Sequence, residues 1–234
     1  LMKQYRQVHY VERKSHAMRE SVGRIIETLR SVRKQKKIFL FLIAFFFFID
    51  GVYTIIDMAT AYGSALGLDS TGLLLALLVT QFVAFPFSIL FGRLAEKYDT
   101  GKLILTCIAA YMGITVFAVF MKAQWQFWVL AIFVGMFQGG IQALSRSYFA
   151  KIVPPERSGE YFGLMDICGK GASFMGTTVV GLASQAFGSI NIGVSAIVFL
   201  FLAGALFFMK TEHSGSESMK NQENIVMGQQ MFHD

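Results

Sequence analysis

Six apolar stretches, each about twenty residues or longer, follow one another with only a few residues between them. They run from Ile38 to Leu66, Thr71 to Leu94, Lys102 to Met121, Phe127 to Phe149, Tyr161 to Phe187, and Ile190 to Met209. A hydrocarbon core about 30 Å thick is crossed by about 20 apolar residues in a helix. Inside lipid the backbone has no water to bond, so such a run satisfies its own amides as a helix. A β-barrel would read as alternating strands of about ten residues, and no such alternation is present. The expectation is therefore an all-α membrane domain of six transmembrane helices over residues 38–210.

The surface chemistry agrees. Only 15% of the residues are charged, against about 25% in a typical soluble domain, so a soluble surface is not available. Phenylalanine contributes 24 residues, four of them consecutive at Phe45, Phe46, Phe47 and Phe48. A helix apolar on every side belongs in lipid or a deep core.

Basic residues collect at alternate connections. Residues 1–37 hold eleven, the connection after the second run has Arg93, Lys97 and Lys102, and the next on that side has Arg146, Lys151 and Arg157. Lys210 and Lys220 follow the last run, and the opposite connections hold only Lys122. Lysine and arginine favour the cytoplasmic side, which places both ends of the chain in the cytoplasm. This bias accounts for the net charge of +6 without nucleic acid as a partner. Residues 1–37 read as a basic linker. Met18, Val22, Ile25, Ile26, Leu29 and Val32 recur there at helical spacing, as in a helix suited to a membrane surface. No signal peptide is expected in it, and the start at Leu1 reads as a piece of a longer protein. Residues 211–234 are polar, aperiodic and expected to be disordered.

The chemistry available inside the runs is narrow. The four histidines lie in the polar ends, and Cys107 and Cys168 fit no metal spacing. No phosphate-binding loop is present, so no metal, cofactor or ATP is expected. Ionisable groups at a membrane helix centre cost about 2.5–3.5 kcal/mol each and usually face a cavity or one another. Four lie inside runs: Asp50, Asp57, Asp166 and Lys170. Asp50 and Asp57, seven apart, share a face with Tyr53 and Thr54. Asp166 and Lys170, four apart, are in the favourable order for a helical ion pair. Gln138, Gln142 and Ser145 make a further polar stripe. The expected path for a polar solute or a proton is lined by Asp50, Tyr53, Asp57, Gln138, Gln142, Asp166 and Lys170. In the alternative, Asp166–Lys170 is a structural pair and the glutamines only bond neighbouring helices. Gly135 and Gly139 have the spacing that lets helices approach closely, and Pro86 is expected to kink the second run.

Two stretches carry a resemblance. Gly92-Arg93-Leu94-Ala95-Glu96-Lys97-Tyr98-Asp99-Thr100-Gly101-Lys102 resembles the loop motif of the major facilitator superfamily, with Glu96 in place of the usual aspartate and Asp99-Thr100 as an apparent insertion. Residues 138–182, from Gln138-Gly139-Gly140 through Ser145-Arg146-Ser147-Tyr148 to Gly163-Leu164-Met165-Asp166, resemble the branch containing the autophagy-related vacuolar amino-acid effluxers and their bacterial relatives. The resemblance implies a C-terminal six-helix half with a 3+3 inverted repeat, a missing N-terminal half, and Gly92, Arg93, Glu96, Lys97, Gly101 and Arg146 as a cytoplasmic gating motif. It further implies a secondary transporter, efflux of a small solute such as an amino acid, a coupling proton as a second ligand, and residence in the lipid bilayer of a bacterial plasma membrane. The competing readings are a non-transporting membrane scaffold and an intramembrane aspartyl enzyme that pairs Asp57 with Asp166.

Overall fold

The computed structural model describes residues 27–65 and 67–230, with side chains described as far as Ser214. A helical piece, α1 (27–34), ends at Gln35. Six long helices follow: α2 (Lys36–Ala65), α3 (Ser70–Lys97), α4 (Thr100–Val119), α5 (Gln124–Ile152), α6 (Ser158–Phe187) and α7 (Ile190–Gln230). One 3-10 turn, Pro155–Arg157, joins α5 to α6. No strand occurs among the described residues. The stretch Met18–Ile26 of the expected surface helix lies outside them. Of its remaining apolar positions, Val32 is buried and Leu29 is exposed.

The short connections are closed by side chains that satisfy the first free amides of each helix. Asp69 Oδ2 accepts from the Gly72 amide at 2.7 Å, and Asp99 Oδ1 accepts from the Lys102 amide at 2.9 Å. The apparent insertion Asp99-Thr100 is thus the start of α4 rather than part of a loop. Gln126 folds back so that its Oε1 accepts from the Lys122 and Ala123 amides. Gly188 ends α6 in the left-handed region at φ 64°, where a side chain would be strained. Pro86 sits inside α3, which runs through it without interruption.

Contacts fix the direction of each helix. Along α7, Asn191 meets Tyr62, Phe201 meets Gly51 and Phe208 meets Phe41, so α7 runs antiparallel to α2. Gly169 lies against Phe45 and Gly176 against Asp50, so α6 runs parallel to α2. Thr80 lies against Ala131 and Gly135, and Ala84 against Gly139, so α3 runs parallel to α5. Tyr111 meets Val134 and Phe201, which sets α4 against both α5 and α7. The six helices therefore alternate in direction. Lys36, Lys37, Lys97, Lys102, Lys151, Arg157 and Lys210 gather at one end, and Lys122 stands at the other.

Five helices are long and apolar enough to cross a membrane: α2, α3, α4, α5 and the Ile190–Ser214 part of α7. The sixth expected span, α6, does not reach that apolarity. It is 30 residues long, about 45 Å at 1.5 Å per residue, so length is not the reason. Glu160, Asp166 and Lys170, with many glycines, serines and threonines, dilute its apolar content. The tail also departs from expectation. In place of disorder after Lys210, α7 continues to Gln230. Residues 211–230 contain no proline and include several Glu, Met and Gln residues, which tolerate helix well. Thr211 is fully buried and Glu212 packs against α4 and α5, so contact with the bundle holds the first turn past the expected boundary.

The core is aromatic. Phe41 stacks on Phe45, Tyr148 and Phe149 and meets Phe208 edge-on, joining α2, α5 and α7. The four consecutive phenylalanines of α2 divide among neighbours: Phe45 touches Gly169 of α6, Phe48 lies under Gly204 of α7, and Phe47 stacks on Phe207. Between α3 and α5 the backbones approach closely. A Cβ at Gly135 would lie 2.6 Å from the Thr80 carbonyl oxygen, and one at Gly139 would lie 2.2 Å from that of Ala84. This is the use that the spacing of these two glycines predicts.

Candidate functional site

A polar cleft of about 410 Å3 opens between α3 and α5 on an otherwise apolar bundle. Gln81 and Ser88 line it from α3, and Gln138, Gln142 and Arg146 from α5. The three α5 residues are four apart in succession, so one helical face carries all of them. The Gln138 Oε1 atom is buried and has no hydrogen-bond partner. Leaving an amide oxygen unmet costs about 1–3 kcal/mol, so this atom has a standing demand for a donor.

At the edge of the cleft, Arg146 Nη2 donates to Asp166 Oδ1 at 3.0 Å, with the two side chains 59% and 50% exposed. The pairing corrects the sequence reading. The partner of Asp166 is Arg146 of a different helix, not Lys170 one turn away; Lys170 is exposed and makes no ion pair among the described residues. A planar guanidinium presents several donors to a carboxylate, which favours arginine over the flexible lysine. Arg146 also lines the cleft, on the helical face that carries Gln138 and Gln142.

Tyr53 of α2, half-buried, lies within electrostatic reach of Arg146, Asp166 and Asp57. Asp57 itself is exposed. Of these residues, Arg146 also lines the cleft that carries the glutamine stripe. Asp50 does not join them. It is fully buried, its Oδ1 accepts from the Gly176 amide of α6 at 2.8 Å, and its Oδ2 has no partner. Asp50 and Asp57 point in similar directions around α2, but α6 covers the first and leaves the second open. The space for Asp50 depends on a missing side chain: a Cβ at Gly176 would fall 2.6 Å from Asp50 Oδ1 and 2.0 Å from Thr54 Oγ1.

The basic end holds a second polar cluster. Of the expected gating motif, Gly92, Arg93, Glu96 and Lys97 are exposed. Gly101 is packed, with its missing Cβ position 2.9 Å from the Glu212 carboxyl carbon. Glu212 Oε1 accepts a hydrogen bond from the Tyr148 hydroxyl, Lys151 Nζ donates to Thr100 Oγ1 at 2.9 Å, and Lys37 Nζ stands 5.9 Å from the centre of the Tyr148 ring. The cluster thus ties α2, α4, α5 and α7. Tyr148 and Glu212 were missed as site residues. Glu212 falls just past the last apolar run, and nothing in its neighbours marks it as packed.

The sequence profile of the family described as "Vacuole effluxer Atg22 like" matches residues 1–220. The chain is 42% identical over 224 residues to the "Uncharacterized MFS-type transporter YxiO" of Bacillus subtilis (strain 168), covering 96% of this chain and 52% of that protein. It is 23% identical over 220 residues to "Autophagy-related protein 22-2" of Aspergillus niger, covering 86% and 37% of the two chains. With "Autophagy-related protein 22" of Saccharomyces cerevisiae (strain YJM789) it is 29% identical over 178 residues, covering 69% and 33%. The chain spans about half the length, or less, of these relatives. Apolar helices of spanning length mark it as an integral membrane protein, and the chain belongs to the Atg22-like vacuole effluxer family.

Proposed function

We propose that this chain is the C-terminal six-helix half of a secondary transporter that moves a small zwitterionic solute, an amino acid, by alternating access, in the direction of efflux. One observation carries the reading. Arg146 and Asp166 stand as an accessible pair of opposite charges beside a cleft lined by amides. A carboxylate suits the guanidinium of Arg146, and an ammonium suits Asp166 or Asp57. The unpartnered Gln138 oxygen offers a third contact to a donor. Asp57 and Lys170, both open, are the candidates for exchanging a coupling proton.

The pairing of helices supports a 3+3 arrangement. α3 leans on α5 as α6 leans on α2, and α4 packs on α5 as α7 packs on α2. In this reading α6 crosses the bilayer as the sixth span, because it lies alongside two apolar crossing helices, α2 and α7, over its length. Its polar residues then face the cleft rather than lipid. The basic end faces the cytoplasm of a bacterial cell. A second six-helix half closes the site from the other side.

The test is radiolabelled amino-acid flux in proteoliposomes of the full-length protein, with and without a proton gradient. Arg146→Gln and Asp166→Asn are each expected to lower flux at least tenfold. Asp57→Asn and Lys170→Met are expected to reduce its dependence on the gradient. Wild-type flux in the Arg146 and Asp166 variants would remove the pair from the transport path.

A further inference from the structure

A groove of about 670 Å3 lies at the basic end, on another side of the bundle from the polar cleft. Phe39, Ile43 and Phe46 of α2 form one wall, Leu164 of α6 another, and Leu29 of α1 the rim. Arg30 and Arg33 stand at its mouth. The groove has a built frame. α1 is docked across the ends of α2 and α6: Thr28 donates to Glu160 at 3.0 Å, and Gln35 donates to the Tyr161 hydroxyl at 3.1 Å. Val32 and Thr28 are buried by this docking, and Arg30 and Arg33, on the other side of α1, are left exposed.

Neither arginine has an ion-pair partner among the described residues. Glu27, three residues before Arg30 on α1, makes no ion pair with it among the described residues, and Glu160 of α6 is engaged by Thr28 and by Arg157 at 2.8 Å. The mouth of the groove is therefore doubly cationic and its floor is apolar. Leu29 and Phe39 remain 47% and 39% exposed beside it. A floor that excludes water and a mouth that attracts an anion are joined in one cavity at the level where lipid headgroups meet a membrane protein.

We propose that this groove binds one anionic phospholipid, its phosphate held by Arg30 and Arg33 and an acyl chain laid along the α2 wall. Charge complementarity selects this occupant: a neutral apolar partner would leave both guanidinium groups unmet, and a soluble anion would leave the apolar floor exposed. Basic pockets between membrane helices are suited to such headgroups. Because α1 forms one edge of the groove, a seated lipid also presses α1 onto α2 and α6, fixing the segment that leads into the bundle.

The test uses the full-length protein, stripped of lipid in detergent and titrated with dioleoylphosphatidylglycerol or dioleoylphosphatidylcholine, with bound lipid counted by native mass spectrometry. One phosphatidylglycerol is expected to be retained in clear preference to phosphatidylcholine. An arginine near an anionic headgroup contributes about fivefold in affinity, so Arg30→Gln with Arg33→Gln is expected to weaken binding about 30-fold. Ile43→Trp, which fills the groove and leaves the charge alone, should weaken it as well. Lys97→Gln with Lys102→Gln, the same charge loss at the same end but away from the groove, should bind as wild type. Equal retention of the two lipids, no effect of either groove variant, equal weakening in the lysine control, displacement by glycerol 3-phosphate alone, or no retained lipid because another part of the protein covers the groove would each overturn the proposal.

Discussion

Gly176 is the position where the contact between α2 and α6 can be tested with a single methyl group. In Gly176→Ala the new Cβ would lie 2.0 Å from Thr54 Oγ1 and 2.6 Å from Asp50 Oδ1. Ordinary contact begins at 3.4 Å, so relief demands a shift of about 1.4 Å between α6 and the Thr54 side chain. If α6 retreats, the 2.8 Å bond from the Gly176 amide to Asp50 stretches beyond hydrogen-bonding range. Asp50 is fully buried and its other oxygen already lacks a partner. Two costs then act together. Overpacking a filled interior costs about 1–3 kcal/mol, and stranding a buried polar group costs about 1–3 kcal/mol more. For a chain of this size about 1 kcal/mol moves the unfolding midpoint by 2–4 °C. Gly176→Ala is therefore expected to lower the apparent midpoint of the detergent-solubilised full-length protein by roughly 4–24 °C. Thr54→Ala in the same molecule removes the closer clash and should recover about half of the loss, whereas Thr54→Ala alone should have a small effect. An unchanged midpoint in Gly176→Ala, or a double variant no better than the single, would refute the close approach of Asp50, Thr54 and Gly176.

Two further outcomes follow from the same geometry. Gly139→Val drives side-chain carbon into the Ala84 carbonyl, 2.2 Å from the Cβ position and unable to rotate away; it is expected to cost at least about 3 kcal/mol and to appear as loss of the monodisperse species in size-exclusion chromatography. Tyr148→Phe removes the hydroxyl that bonds to Glu212; a lost bond to a charged group costs about 1.5–3 kcal/mol, and the expected readout is faster cysteine labelling at position 101 in Gly101→Cys, Tyr148→Phe than in Gly101→Cys alone.

Most of the architecture was legible in the sequence because lipid imposes one rule, that every apolar run of sufficient length is a helix. Gly135 and Gly139 marked a close helix approach, which proves to be that of α3 to α5. The starts of α3 and α4 were not read, and Asp99, part of an apparent loop insertion in the sequence, caps α4. The candidate site was legible in part. Periodicity along one helix placed Gln138, Gln142 and Ser145 in a polar stripe, but it left Arg146 out and says nothing of which neighbour that face meets. Hence Asp166 was matched to Lys170 on its own helix, and its partner across the gap was not. Asp50 and Asp57 illustrate the same blindness: their spacing is right for a shared face, and only the path of α6 decides that one is buried and the other open. Glu212 was unreadable for a different reason. Its role comes from the packing of α7 beyond the lipid, where hydropathy no longer carries a signal.

The Arg146–Asp166 bridge joins α5, which packs mainly on α3 and α4, to α6, which packs mainly on α2 and α7. Under the function proposed above, an occupant that took over either charge would dissolve this clasp and substitute itself for one of its halves. The distance between the two groups of helices would then report on what fills the gap. Recognition and mechanical release would be a single event at one pair of side chains, with no relay to a distant trigger.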